Sequence, residues 1–535
     1  MRQTGLKREI GLVGLTAMAV SGIIGSGWLF APLLTAQLAG PAAIAAWVIG
    51  AFCMLLLALT FAEIAAMFPL PGGVASIPRV THGNFVSMMM GWTAWLGYAL
   101  TAPIEVEATL RYLTLYAPWL FETTQAQRLS LPGAFAALGL MVVFVVLNAL
   151  GVRLFTMINT SITWLKIIVP LIITGMFVAS SFQPSNFVEP AGFAPYGVSG
   201  ILAAVSSGGV VLSMIGFRHA VDMAGEVRNP GRTIPLAITL AMLVCLVIYA
   251  GLQTAFIGAL PSEAIAGGWS DLDLTHRSGP LASVATVLGL LWLVSLMNAT
   301  AVVSPFGGAL VAVGANARLV MAMTATGLIP AYFGRLSAFG VPFNALILNL
   351  VIGWVAVLAL PFSQLVPTHT SLVVFSFILG PVAVVALRRL APDYPRPFTL
   401  PFVRVIAGAT FILATLIVYW GGWNSVKIIG LALLAGAVLL AIRLRSVERR
   451  HLNLRSAVWL APYCLGIGLI SAFGDFGGLG LLTNGLDTAA CATLGAAAFF
   501  IAVRSALSHT DFADQTERIL AQLGYEEDVL RNLDI

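Results

Sequence analysis

The sequence predicts an all-α polytopic membrane protein with about fourteen transmembrane helices, and two observations lead to this prediction. The 535 residues are 59% hydrophobic and only 9% charged, with a mean hydropathy of +0.96, whereas soluble domains carry about 25% charged residues. Apolar runs of about 20 residues, the length that crosses a hydrocarbon core of about 30 Å, recur along almost the whole chain. The alternating pattern of outer-membrane strands is missing from the sequence.

The apolar runs define fourteen numbered spans, followed by a polar, acidic tail from Ser508 that is expected to form a short cytosolic helix. Lys and Arg collect in the loops of one side and place both termini in the cytosol, because the outer loops then carry only Arg111, Arg128, Arg277 and Lys427. The net charge of +5 follows from this bias and gives no reason to expect a nucleic-acid partner. The spans are expected at 10–35, 41–67, 86–112, 132–150, 155–180, 198–227, 233–259, 283–312, 342–361, 369–389, 403–423, 427–443, 457–481 and 487–505.

Cysteines and histidines give no sign of a cofactor or metal site. The four cysteines lie inside apolar segments without paired spacing, so neither a disulfide framework nor a metal cluster is expected. The six histidines are scattered. An intramembrane enzyme would need a nucleophile with a base or paired metal ligands at matched depth, and no such cluster appears, so the chain is not expected to be an enzyme.

Glycines and serines interrupt two of the apolar spans. The stretch "GIIGSG" at 22–27 lies in the middle of span one, and "SSGGVVLSMIG" at 206–216 interrupts span six. A helix can break in lipid where its freed backbone groups line a cavity or meet a ligand, whereas close helix packing through small residues is the alternative reading. Ser26 and Gly27 would present N–H groups at the start of a second half-helix, which is an anion site. Two breaks five spans apart are what an inverted five-plus-five repeat with broken helices 1 and 6 predicts.

Five segments in a fixed order resemble the amino acid–polyamine–organocation (APC) transporters. They read "GLTAMAVSGIIGSGWLFAP", "FAEIAAMFPLPGGVASIPRVTHG", "GFRHAVDMAGEVRNPGRTIP", "NARLVMAMTATGLIP" and "RPFTLPF". The resemblance implies the inverted-repeat transporter fold, with a transport core at 1–390 (spans 1–10), spans 11–12 at 391–445, extra spans 13–14 at 446–508 and a cytosolic tail at 509–535. The extra pair is most similar to bacterial aspartate–proton symporters.

The resemblance and the two breaks together define a predicted substrate site. The α-carboxylate of an amino acid is expected on the N–H groups of Gly25, Ser26 and Gly27, and its α-amine on three carbonyl groups where the broken helices face each other. The carbonyls belong to Ile23, Leu212 and Ile215, with Ser213 and Gly216 completing the site. The inner motif residues are expected to hold the cytosolic gate: Glu63, Arg79, Glu226, Arg228 and Arg318.

Lys166, well inside span five, is the first candidate for proton coupling. An intramembrane cation is costly and is a functional hypothesis by default, and withdrawal from water favours the neutral amine. In proton-coupled members of the resembled family, a lysine at this place is similar to a substitute for bound sodium. Snorkelling to the interface is the alternative. His219 and Glu105 are further coupling candidates.

Arg218 departs from the family pattern, which usually has an acidic residue after the glycine–aromatic pair of span six. A guanidinium near the break would clamp a second carboxylate bidentately. An ion pair with Asp222 or Glu105 is the open alternative.

The expected function is therefore proton-coupled symport of amino acids, aspartate or glutamate first, by alternating access in the plasma (inner) membrane. Its partners are a small-molecule amino acid and the lipid bilayer, and no cofactor besides the coupling proton is expected. Transport or exchange of neutral amino acids or amines is the main alternative, and a nutrient sensor or channel on the same fold is another. The sequence leaves the oligomeric state and the transport stoichiometry open.

Overall fold

Helices make up the architecture of the described chain. The computed structural model describes residues 10–522 except 69–72, 115, 123–127, 150–151, 273, 275–278, 325–326, 328, 338–339, 444–451 and 484. Within these residues there are isolated β-bridges but no strands. In this part of the chain, nine helices are long and apolar enough to cross a membrane, or ten if one bent pair counts as a span. The prediction of an all-α, multi-pass membrane protein is confirmed. Arg277, which the sequence analysis assigned to an outer loop, lies outside the described residues.

The first seven helices correspond to predicted spans one to five. Span one appears as two helices, and the third span is reached through a helix that bends at Gly83, where φ is 78°. The helices are α1 (Leu12–Ile23), α2 (Gly27–Ala39), α3 (Ala43–Met67), α4 (Gly73–Ala99), α5 (Thr101–Leu113), α6 (Leu131–Ala149) and α7 (Val152–Ser180).

The next seven helices correspond to spans six to eight. The eighth span differs from the expected 283–312, because the helix continues to Thr324 and so contains most of the "NARLVMAMTATGLIP" segment. The helices are α8 (Gly197–Ser207), α9 (Val210–Met214), α10 (Arg218–Asp222), α11 (Pro230–Ala259), α12 (Ser262–Ile265), α13 (Pro280–Val287) and α14 (Leu291–Thr324).

The last eight helices include the most deeply buried span and the C-terminal additions. In the most apolar stretch of α16–α17, 94% of the residues are buried, whereas in that of α21 only 28% are buried. The helix α21 therefore lies at the periphery. A polar helix follows Ser508, as expected. The helices are α15 (Phe343–Ala359), α16 (Phe362–Phe377), α17 (Leu379–Leu390), α18 (Val403–Trp420), α19 (Trp423–Arg443), α20 (Leu460–Phe473), α21 (Leu486–Arg504) and α22 (His509–Gln522).

The motif segments meet at one end of the bundle. Glu63, at the end of α3, accepts hydrogen bonds from Arg388 Nε and Nη2 at 2.9 and 2.8 Å and from the Leu400 N–H at 2.6 Å. Bidentate guanidinium–carboxylate contacts are among the strongest polar contacts in proteins. The backbone of Ile10 pairs with Glu226 O and Arg228 N at 3.0 and 2.8 Å. These contacts tie the start of span one and the end of span two to later segments.

The C-terminal helices dock on the bend of α4. The Phe85 N–H donates to Leu452 O at 3.1 Å, and the Leu507 N–H donates to Thr81 O at 2.9 Å. His82 Nε2 lies 3.0 Å from Ala502 O, so its N–H on that nitrogen donates to α21. Backbone groups freed by the bend are therefore satisfied by the segments on both sides of α20 and α21.

Candidate functional site

The interruption of span one is a three-residue gap between α1 and α2. Ile24 has φ −80° and ψ 87°, the angles of an inverse γ-turn, and the Gly25 N–H donates to Ile23 O at 3.0 Å. The helix restarts at Gly27. The interruption falls within the "GIIGSG" stretch.

The interruption of span six is longer and has two parts. Gly209 has φ 90° and separates α8 from α9, and the axes before and after this break differ by 46°. A 3₁₀ turn at Ile215–Phe217 then separates α9 from α10. The positive φ explains the glycine, since other residues rarely adopt it.

The two interruptions are in direct contact. A Cβ added to Gly216 would lie 2.2 Å from the carbonyl carbon and oxygen of Gly22, and one added to Gly27 would lie 2.0 Å from Ser213 Oγ. The glycines therefore allow the backbones of the two broken segments to meet.

A carboxylate of the protein already lies against the break in span one. Glu105 Oε1, from α5, accepts a hydrogen bond from the Ser26 N–H at 3.3 Å, and it would lie 2.8 Å from a Cβ on Gly25. Glu105 Oε2 is buried and has no hydrogen-bond partner among the described residues. The N-terminus of α2 thus holds a carboxyl group, the kind of acceptor that backbone N–H groups at a helix start favour.

Lys166 lies within electrostatic range of the Glu105 carboxyl group. It is 1% exposed and interacts electrostatically with Glu105. The snorkelling alternative is not what the structure shows, since the side chain is buried inside the bundle. The two coupling candidates from spans three and five are thus brought together at the break.

The three predicted amine-binding carbonyls differ in how many further hydrogen bonds they can accept. Ile23 O accepts the Gly25 N–H and also the Tyr249 hydroxyl at 3.1 Å. Leu212 O accepts the Ile215 N–H, and Ile215 O accepts the Arg218 N–H. Since a carbonyl oxygen has two lone pairs, both acceptor positions of Ile23 O are occupied.

Arg218 forms an ion pair within its own helix. Its Nε lies 3.0 Å from Asp222 Oδ2, and its guanidinium carbon lies 4.1 Å from the centre of the Tyr98 ring. Asp222 is one turn later on the same helix, the spacing at which opposite charges meet. Of the two interpretations that the sequence left open, the structure shows the ion pair with Asp222.

His219 is fixed by the second interruption. Its Nδ1 lies 2.9 Å from Gly216 O, so Nδ1 carries the proton and donates to that carbonyl. The ring also approaches Gly22, where an added Cβ would lie 2.4 Å from Nδ1. His219 therefore touches both broken segments.

Sequence reasoning missed several polar residues at the site. Tyr249 and Gln253 of α11 and Ser304 of α14 contact span one: Ser304 Oγ donates to Gly25 O at 3.3 Å, and Gln253 Nε2 donates to Pro32 O at 3.0 Å. Each lies more than 200 positions from its partner. A polar residue in an apolar span was the available signal, but it does not identify the partner.

Aromatic side chains pack on the α10 side of the site. The rings of Phe61, Phe217 and Phe377 lie with centroids 5.5 to 6.3 Å apart, the range of favourable edge and offset contacts. Phe217 follows directly on Gly216. The cluster therefore links the second interruption to α3 and α16.

Comparison with known proteins gives a family match over most of the chain. Residues 10–442 match the family model described as amino acid permease. The glutamate/serine transporter AimA of Bacillus subtilis (strain 168) is 33% identical over 528 residues, which cover 97% of each chain. The aspartate-proton symporter of the same organism is 32% identical and covers 91% of this chain and 94% of its own. The branched-chain amino acid permease BcaP is 26% identical, covering 82% and 93%.

Proposed function

The chain belongs to the amino acid permease family, within the APC superfamily, and we propose that it is a proton-coupled symporter of acidic amino acids. Members of this family and the relatives above are transporters, so the protein is a multi-pass membrane transporter and not an enzyme. The names of two relatives refer to glutamate or aspartate. These names support the acidic substrate without deciding it.

One observation carries the proposal: the N-terminus of α2 already holds a carboxylate. Glu105 Oε1 accepts the Ser26 N–H, the position assigned to the substrate's α-carboxylate. A bound amino acid would take this position, with Gly25, Ser26 and Gly27 as donors, and would release Glu105 towards Lys166. Its amine would meet the carbonyls of Ile23, Leu212 and Ile215, beside Ser213 and Gly216.

The same exchange of carboxylates supplies a route for proton coupling. With the substrate's carboxylate on Ser26, Glu105 and Lys166 together bind or release the coupling proton, and His219 is the further candidate. Two buried, opposed charges change their protonation readily when one of them loses a hydrogen-bond partner. No cofactor other than the proton is needed.

For Arg218 we propose the role of a clamp on the side-chain carboxylate of aspartate or glutamate. The clamp would have to compete with Asp222, which holds Nε at 3.0 Å. This ion pair favours the second candidate function, transport or exchange of neutral amino acids, in which Arg218 is structural. The two functions differ in whether an acidic side chain is required.

The transport core is proposed to be an inverted five-plus-five repeat at residues 1–390, with broken helices 1 and 6. Spans 11–12 would occupy 391–445, extra spans 13–14 would occupy 446–508, and a cytosolic tail 509–535. The proposal supposes fourteen spans, cytosolic termini and the plasma membrane. The equivalent gaps at Ile24–Ser26 and Gly208–Gly209 support it.

Uptake by purified protein in proteoliposomes tests the proposed function. An inward proton gradient should drive accumulation of aspartate and glutamate above equilibrium, and a protonophore should abolish it. Alanine and leucine serve as neutral comparisons. Uptake of neutral amino acids alone would favour the second function, and uptake that the gradient does not alter would contradict proton coupling.

A further inference from the structure

Tyr249 presents a buried hydroxyl to the break in span one. It lies on α11, is 1% exposed and donates to Ile23 O at 3.1 Å across 226 residues of sequence. Its ring stacks on Trp47 with centroids 4.8 Å apart and planes 25° apart. The ring is therefore held by packing, and the hydroxyl adds one directed contact.

That contact fills the last acceptor position of the Ile23 carbonyl. A carbonyl oxygen has two lone pairs, and the Gly25 N–H of the inverse γ-turn uses the other one at 3.0 Å. Within helices, carbonyl groups such as that of Ile23 accept an N–H four residues later, but the gap at Ile24–Ser26 removes that partner. Tyr249 thus satisfies a carbonyl that the break leaves exposed.

The neighbouring turn of α11 makes a similar contact with the second half of span one. Gln253 Oε1 accepts Thr35 Oγ1 at 2.7 Å and Trp47 Nε1 at 3.1 Å, while Gln253 Nε2 donates to Pro32 O. The side chains of Gln253, Thr35 and Trp47 are all buried. One face of α11 therefore holds both halves of the broken span, with Gln253 on α2 and Tyr249 on the last residue of α1, next to the gap.

We infer that Tyr249 is a positioning residue whose hydroxyl occupies the proposed amine position on Ile23 O and must leave this carbonyl when an amino acid binds. The inference rests on the proposed function, in which Ile23 O accepts the substrate's amine. An ammonium group forms a charge-assisted hydrogen bond, which is stronger than that of a neutral hydroxyl. The exchange is therefore favourable, but its cost lowers the affinity of the wild-type protein.

The inference makes a specific statement about Tyr249→Phe. The variant keeps the ring on Trp47 and removes the hydroxyl, so the substrate's amine no longer displaces a hydrogen bond. A net hydrogen bond corresponds to a factor of about 2 to 10 in an equilibrium constant. Binding of aspartate should tighten by about that factor, and the KM of transport should fall without a matching rise in kcat.

Tyr112→Phe is the matched control. Tyr112 is buried, and its hydroxyl donates to Leu29 O at 3.2 Å, so the variant also removes a tyrosine hydroxyl from a carbonyl of span one. Leu29 lies in the first turn of α2, and its carbonyl is not one of the three proposed to bind the substrate's amine. Tyr112→Phe should lower thermal stability in the same way as Tyr249→Phe but leave the affinity for aspartate within about twofold.

Isothermal titration of detergent-purified protein with aspartate, paired with proteoliposome uptake, separates the outcomes. The expected result is tighter aspartate binding in Tyr249→Phe and not in Tyr112→Phe. If the wild-type protein binds aspartate and Tyr249→Phe binds it equally or more weakly, the inference is overturned. If the wild-type protein binds neither aspartate nor any neutral amino acid, the proposed function fails, and this inference fails with it.

A second measurement does not depend on the folding of the variant. In an experimental structure of the wild-type protein with aspartate bound, the Tyr249 hydroxyl should lie beyond 3.5 Å from Ile23 O, outside hydrogen-bond distance. A hydroxyl that stays on Ile23 O while the substrate is bound would overturn the inference.

Discussion

Lys166 is the residue whose environment most constrains the proposed coupling. It is a buried cation that interacts with the buried Glu105, and removing one member of a buried pair leaves an uncompensated charge that costs about 3–5 kcal/mol. Lys166→Ala should therefore lose uptake driven by a pH gradient while exchange of internal for external substrate survives. Uptake and exchange in proteoliposomes measure both.

The double variant Lys166→Ala/Glu105→Gln controls for the stranded charge. It removes both charges, so its thermal stability should recover relative to Lys166→Ala, whereas the response to the pH gradient should stay lost. A Lys166→Ala protein with unchanged pH dependence would remove Lys166 from the mechanism and leave His219 and Glu105 as candidates.

Arg218 and Asp222 allow a test that separates a substrate clamp from a structural ion pair. Arg218→Ala should abolish aspartate transport, and Arg218→Lys should recover little because an ammonium cannot form the two-pronged contact. Asp222→Asn removes the competing carboxylate and keeps the guanidinium, so aspartate should bind as well as before or more tightly. Equal loss in Asp222→Asn and Arg218→Ala, measured by equilibrium binding, would mean that the pair is structural.

At the scale of elements, the contact between the two interruptions depends on glycines. In Gly216→Ala the new Cβ would overlap the Gly22 carbonyl, whose backbone cannot turn away as a side chain can. Overpacking of this kind costs about 1–3 kcal/mol, and it should separate the broken segments and abolish aspartate binding. Gly139→Ala on α6, where an added Cβ meets nothing within 4 Å, is the control that should bind normally. Retained binding in Gly216→Ala would place the substrate elsewhere.

Patterns in the sequence indicated features that are local in the chain, and they gave no information about contacts between distant spans. The glycine-rich run Gly22–Gly27 indicated an interruption between α1 and α2, because glycines favour a helix break and a break in lipid requires that the freed backbone groups find partners. The sequence also indicated Asp222 as a possible ion-pair partner of Arg218, because the two residues are four positions apart. The Tyr98 ring over Arg218 and the Tyr249 hydroxyl on Ile23 O join distant spans, and the spacing of one sequence does not encode such pairs.

The docking of the C-terminal helices on α4 has a pH dependence that follows from His82. This residue lies on the first segment of α4, before the bend at Gly83 and outside the predicted span 86–112. Burial, with Arg389 nearby, lowers its pKa to about 4. Unfolded histidine binds a proton near pH 6.5. Docking stability is therefore complete above about pH 6.5 and falls as the pH drops towards 4.

Limited proteolysis of the tail measures this docking. Cleavage within α22 should become faster between pH 6.5 and 4.5 in the wild-type protein, and His82→Gln should show a smaller change over the same range. Cleavage that responds equally in both proteins would mean that groups other than His82 control the docking.

At the scale of the whole molecule, the number of membrane crossings between Ser262 and Ser508 depends on α15. Its 17 residues are about 25 Å long, shorter than a hydrocarbon core of about 30 Å, and it is one of the shorter apolar helices. With α15 as a crossing, seven spans separate Ser262 from Ser508, and without it six do. An odd number places the two serines on opposite sides of the membrane.

Single cysteines at these positions decide the topology. Ser262 and Ser508 are exposed, while Cys53, Cys245 and Cys491 are buried and Cys464 is half-buried, so a membrane-impermeant maleimide should find little background. In intact cells Ser262→Cys should be labelled at once, because α11 begins beside Arg228 and Arg232 and the excess of Arg and Lys marks the cytosolic side. Ser508→Cys should be labelled only after permeabilisation. Labelling of both in intact cells, or of neither, would mean that α15 does not cross, and the reverse pattern would invert the whole protein in the membrane.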